Sequence, residues 1–222
     1  MKFSHTTVIP MAAREWVVER ETAAFRTLYA QAFGLGPTVE VVNEELDGST
    51  MMVHWRCFPK AKDVVPGPLQ RFVKAELTHE EKWWFDLDQL AEPPYVLRFK
   101  QIPPLVGDNA EVTGTVTIEE LGPTSCRQTI NCESNVPPLF RVPGTGTIAS
   151  KGIKDRLGLI YRDLPAVVET WLVTRKALQD SNNYAALWEG DTALQNLSES
   201  VMHDIRNPPR ALVDSIQSEG GG

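Results

Sequence analysis

Residues 110–136 read AEVTGTVTIEELGPTSCRQTINCESNV, and their period of two decides the fold class. Val112, Gly114, Val116 and Ile118 alternate with Glu111, Thr113, Thr115, Thr117 and Glu119, so one face of this strand is dry and the other wet. Gly122-Pro123 turns the chain. Thr124 to Val136 then returns with Cys126, Gln128, Ile130 and Cys132 set against Arg127, Thr129, Asn131 and Glu133. Strands with one wet face form an antiparallel sheet, and the dry face needs a cover.

The cover follows. From Thr147 to Gln179 the spacing is helical, and Ile153, Leu157, Ile160, Tyr161, Leu164, Val168, Trp171 and Leu178 fall on one stripe. Such a helix is long enough to cross a sheet. Pro165 sits inside it. An interior proline costs about 3 kcal/mol unless it kinks the helix or opens a new one, so a kink or break is expected there, with Asp163 as a cap. Gly144-Thr145-Gly146-Thr147-Ile148-Ala149 spells a dinucleotide-like G-x-G-x-x-A, but Pro143 precedes it and no strand follows. It reads as a loop entering the helix.

Towards the N-terminus, Tyr95 to Ile102 is a further strand, with Tyr95, Leu97 and Phe99 opposite Arg98 and Lys100. Phe3 to Ile9 is a short first strand. Met11 to Phe33 has helical spacing, with Phe25, Leu28, Tyr29, Ala32 and Phe33 on one face and room for a break near Arg20 to Thr22. Gly34, Gly36 and Pro37 end it. Val39 to Leu46 and Thr50 to Phe58 flank Asp47-Gly48, a strong hairpin signal. Lys60 to Pro68 is a loop. Glu76 to Leu87 fits two templates: a capped helix starting at Thr78, or a strand alternating through His79, Glu81, Trp83 and Phe85.

The chain has 222 residues, 42% hydrophobic and 23% charged, which suits one large domain or one domain with a tail. Its net charge of −7 comes from 22 basic and 29 acidic residues, scattered rather than massed. Such a surface repels phosphate backbones, so no nucleic-acid partner is expected. Cys126 and Cys132 lie roughly 20 Å apart along one strand, too far to bridge, and reduced buried thiols are expected. There is no signal-peptide core and no apolar run of about 18 residues, so the expectation is a cytoplasmic protein with no transmembrane segment. His5, His54, His79 and His203 fall at no metal-ligand spacing, and neither a metal nor a cofactor is expected.

The element order is strand, helices, six antiparallel strands and a long last helix. It resembles the helix-grip fold of the START-like (SRPBCC) superfamily, an α+β fold with a curved antiparallel sheet wrapped around a C-terminal helix. Two stretches sharpen the resemblance to a poorly characterised START-like family of bacterial type. One is Pro66-Gly67-Pro68-Leu69-Gln70-Arg71-Phe72-Val73 followed by Glu76 to Trp83. The other runs from Asn135-Val136-Pro137-Pro138-Leu139 through Gly152, Leu157 and Pro165 to Trp171. The resemblance covers roughly residues 1 to 176, and it favours the strand for the ambiguous segment. The chain departs from the family's pattern after Lys176, and residues 180–222 change to a polar, weakly amphipathic stretch, so a domain over residues 1–179 and a partly helical tail with a loose end over 180–222 are expected.

The resemblance also implies a cavity between sheet and last helix, where relatives bind hydrophobic or amphipathic molecules and some add catalysis. Trp55, Trp83, Phe85, Leu97, Phe99, Val116, Ile118, Ile130, Leu157, Tyr161 and Leu164 would converge there, either lining a pocket or filling a solid core. His79 and Glu81 share a strand face and are the candidates for general acid–base work, with Gln128 and Tyr161 as further anchors. In the opposite register both would be wet. The leading expectation is a carrier or binding protein for a hydrophobic or lipid-like molecule. The alternatives are a cyclase- or hydrolase-type enzyme working in the same cavity, and an interaction module with a filled core.

Overall fold

Each stretch with a two-residue period is a strand in the computed structural model, which describes residues 1–37, 39–65, 67–70, 77–103, 110–136 and 144–180. The strands are β1 (Lys2–Ile9), β2 (Val39–Asp47), β3 (Thr50–Cys57), β4 (His79–Asp86), β5 (Tyr95–Ile102), β6 (Glu111–Gly122) and β7 (Ser125–Asn135). They form one seven-stranded sheet in the order β1-β7-β6-β5-β4-β3-β2. All of its pairings are antiparallel. The first strand closes on the last, so the chain must cross from one sheet edge to the other before β2 begins. Helices α1 (Ala13–Glu19) and α2 (Ala23–Ala32) make that crossing.

The break between α1 and α2 falls where the sequence leaves room for one. Thr22 caps α2, its hydroxyl accepting from the Phe25 amide at 3.2 Å. Gly34, at φ 62°, ends α2 in the left-handed region that glycine tolerates. The ambiguous segment is β4, and its burial alternates residue by residue. Trp83 and Phe85 face inward, and the period of two takes His79 and Glu81 in with them.

The dry face of the sheet is covered by α5 (Thr145–Asp180), giving the helix-grip α+β architecture. Ala149, Ile153, Leu157, Ile160, Tyr161, Leu164, Val168 and Trp171 are its buried stripe. Of the kink or break expected at Pro165, the break is absent: the helix runs on through it, because packing along its whole buried stripe offsets the lost backbone hydrogen bond. Another expectation needs correction. The segment read as a loop, Lys60 to Pro68, contains the four-residue helix α3 (Ala61–Val64) and the start of another, α4 (Gly67–Gln70). The far ends of α1 and α5 are clamped by Arg175, paired with Glu15 and Glu19, and by the Trp171 indole donating to Glu19. Of the expected tail, 180–222, Asp180 is the last residue of α5, and residues 181–222 lie outside the described residues, as do the prolines at 66, 137 and 138.

Candidate functional site

The interior between sheet and α5 is not uniformly apolar. From β4, Glu81 enters a setting that is 3% exposed and accepts four hydrogen bonds. His79 Nε2 lies 3.0 Å away, Trp83 Nε1 2.9 Å, Arg26 Nη1 3.1 Å and Gln101 Nε2 3.2 Å. Gln101 arrives by strand register, since it pairs with Glu81 across β4 and β5. Burial pushes the Glu81 carboxyl up, but the His79 hydrogen bond and the Arg26 charge outweigh it and bring the pKa down to about 2. Glu81 is therefore an acceptor only, so the proton in its contact with His79 sits on Nε2.

The crossover brings the other half. Arg26 donates to both carboxylate oxygens of Glu21 at 2.7 Å, and Arg20 Nε donates to Glu21 at 3.0 Å. A buried chain of charge results, Arg20–Glu21–Arg26–Glu81–His79. Burial lowers the pKa of Arg20, whereas at Arg26 the two neighbouring carboxylates outweigh burial and raise it. The Trp83 ring backs both guanidinium groups, with the Arg20 carbon 4.3 Å and the Arg26 carbon 5.1 Å from its centroid. Trp16 and Arg20 share Gln128 on β7.

Two cavities adjoin this chain. The smaller, about 20 Å³, lies among Trp16, Arg20, Phe25, Arg26, Tyr29, Trp83, Gln128, Tyr161 and Leu164. The larger is about 60 Å³. Leu35, Val64, Pro103, Val112, Gly152, Ile153, Leu157 and Ile160 give it apolar walls. Its polar lining is Tyr29, His79, Glu81, Gln101 and Arg156. Two of these groups are incomplete: His79 Nδ1 and Arg156 Nε and Nη2 are buried without a hydrogen-bond partner among the described residues. Burial lowers the Arg156 pKa, against the partial support of Tyr29 and Asp63.

Of the residues expected to face a ligand, Leu157 lines the larger cavity, and Trp83, Tyr161 and Leu164 line the smaller. Trp55, Phe85, Leu97, Phe99, Val116, Ile118 and Ile130 are buried in the packed core and line neither. His79 and Glu81 are together, dry and hydrogen-bonded, so the alternative in which both are wet is corrected. Arg26 makes this possible by compensating a buried carboxylate that would otherwise oppose the register. Sequence reasoning missed Arg20, Glu21, Arg26 and Arg156. A signal existed for Arg156, which falls on the apolar stripe between Ile153 and Leu157, because a charge on a dry helix face is the informative exception.

No protein-family model matches the chain, and no curated protein matches it. Solved structures do. A dicamba monooxygenase bound to 3,6-dichlorosalicylic acid aligns with a TM-score of 0.55 at 11% identity, over 100% of this chain and 60% of that one. The Zhui aromatase/cyclase from Streptomyces sp. R1128 aligns at 0.47 and 16% identity, over 77% of this chain and 92% of that one. A START superfamily protein from Mycobacterium smegmatis aligns at 0.42 and 14% identity, over 77% and 98%. At such identities the likeness is one of fold alone.

Proposed function

We propose that this chain binds a small hydrophobic molecule, lipid-like or aromatic, in the larger cavity between β4–β6 and α5. The observation that carries the reading is the wall. Leu35, Val64, Val112, Ile153, Leu157 and Ile160 surround a space with few polar groups, which is the composition of small-molecule pockets. At about 60 Å³ the cavity is smaller than the roughly 150 Å³ that holds a benzene ring, so binding widens it. Val64 is the wall that can yield, because α3 lies outside the sheet and its movement breaks no strand pairing.

Calorimetric titration of the full chain with 1-decanol and with 2-naphthol tests this. One-to-one binding of at least one of them is expected. Leu157→Trp, which fills the cavity, is expected to weaken binding by about tenfold or more while leaving the circular dichroism spectrum unchanged. If the folded wild-type chain binds neither, the reading fails.

One observation favours a second reading, an enzyme of the cyclase or hydrolase kind. Glu81 holds the Nε2 proton of His79, and Nδ1 is left without a partner beside the cavity. A histidine ring oriented by a carboxylate in this way has the geometry of a positioned acid–base group. A molecule extracted from the protein and presented to it again would then come back with altered mass, and His79→Ala would stop the change without stopping binding.

A further inference from the structure

We infer that the molecule taken by this cavity carries a carboxylate, received by the side edge of the Arg156 guanidinium. The inference rests on the binding reading above and specifies its ligand class. Gly152, Ile153, Arg156, Leu157 and Ile160 line the cavity at intervals of one, three and four along α5, so Arg156 lies on the ligand-facing side of the helix. Its two unpartnered buried nitrogens are Nε and Nη2. They form one edge of the guanidinium and present two parallel N–H donors, a fork that matches the two oxygens of a carboxylate.

Charge counting points the same way. The two arginines of the buried chain are matched by its two carboxylates, Arg20 and Arg26 against Glu21 and Glu81. Arg156 stands outside that balance as a further cation. Asp63, whose charge acts on it, is exposed and makes no ion pair with it among the described residues. Arg156 is half-buried, but the Nε–Nη2 edge is shielded from solvent; donors shielded in this way are costly to leave unpaired, and a single negative charge pairs them. A second negative charge would face Glu81, which lines the same cavity as a carboxylate. A monoanion with an apolar body therefore fits better than a phosphate monoester.

The test uses matched pairs that differ only in the head group, decanoate against 1-decanol and 2-naphthoate against 2-naphthol, titrated into the full chain near neutral pH. Decyl phosphate serves as the dianion. Each acid is expected to bind about tenfold or more tightly than its alcohol, the effect of a charge-assisted hydrogen bond pair. Arg156→Gln is expected to weaken each acid by about tenfold or more and each alcohol far less, which erases that preference, and Arg156→Lys to restore part of it. Equal binding of acids and alcohols by the wild-type chain overturns the inference and leaves the cavity reading standing. So does a preference that survives Arg156→Gln, or tighter binding of decyl phosphate than of decanoate. Failure of every probe in the folded wild-type chain overturns both. The wild-type comparison needs no variant, so a variant that does not fold cannot mask the answer.

Discussion

Arg26 and Glu81 decide whether the interior is a tolerable place for charge. Arg26 bridges Glu21 and Glu81, and each of the three side chains is at least nine-tenths buried. Removing the shared cation leaves two carboxylates facing each other in low dielectric. Arg26→Leu is therefore expected to cost about 3–5 kcal/mol in denaturant unfolding. A loss within about 1 kcal/mol would mean that the ion pairs do not form as described. The carboxyl of Glu81 has a pH signature of its own. Its pKa falls from 4.5 to about 2 on folding, so its contribution is fully present above the unfolded value and is lost as pH falls through the folded one. The stability gap between wild type and Glu81→Gln is expected to reach roughly 3 kcal/mol at neutral pH and to shrink steadily on acidification. A gap independent of pH would contradict the assignment. The thiols supply a simpler check. Burial pushes Cys57 and Cys126 up to about 12 and Cys132 to about 11, and all three are free and buried. Native protein at mildly alkaline pH is expected to resist a thiol reagent and to react at all three cysteines once denatured.

Among the elements, β6 and β7 were the most legible, because a strand with one wet face writes its register in alternate residues. Gly114 is what the alternation could not explain. It occupies an inward position between Val112 and Val116, and a Cβ there would lie 2.2 Å from the Asn131 carbonyl oxygen and 2.6 Å from the Cys132 Cβ. The two strands approach so closely there that only a hydrogen fits. Gly114→Ala is expected to force them apart and cost about 1–3 kcal/mol, read as a lower melting temperature. An unchanged melting temperature would show that the strands can separate freely. At α1–α2 the break was legible, but its purpose was not. Arg20, Glu21 and Arg26 look like ordinary helix-surface charges in sequence. Their burial follows from the crossover lying under the sheet's dry face, which is a fact of topology rather than of local pattern. At Pro165 local cost predicts a kink or break, and long-range packing keeps the helix unbroken.

For the whole molecule, the fold was legible because its signals are repeated in every strand and along the whole last helix. The site was less so, because membership of a cavity depends on which inner-face residues lack a facing neighbour. Leu97 and Ile118 share the alternation that places His79, yet they are packed solid and His79 adjoins open space. The apolar wall and the charged chain also divide the interior. One side is a balanced network that fixes α2 against β4, and the other is a recess with unfilled polar capacity on α5. The central claim is that this recess takes up a small hydrophobic molecule. Native mass spectrometry on gently purified full-length chain, followed by organic extraction, tests it most directly. The account expects a one-to-one adduct of apolar character, either carried through purification or taken up from a lipid extract, and absent from Leu157→Trp. A clean mass of the chain alone, with no uptake from the extract by folded protein, would contradict it.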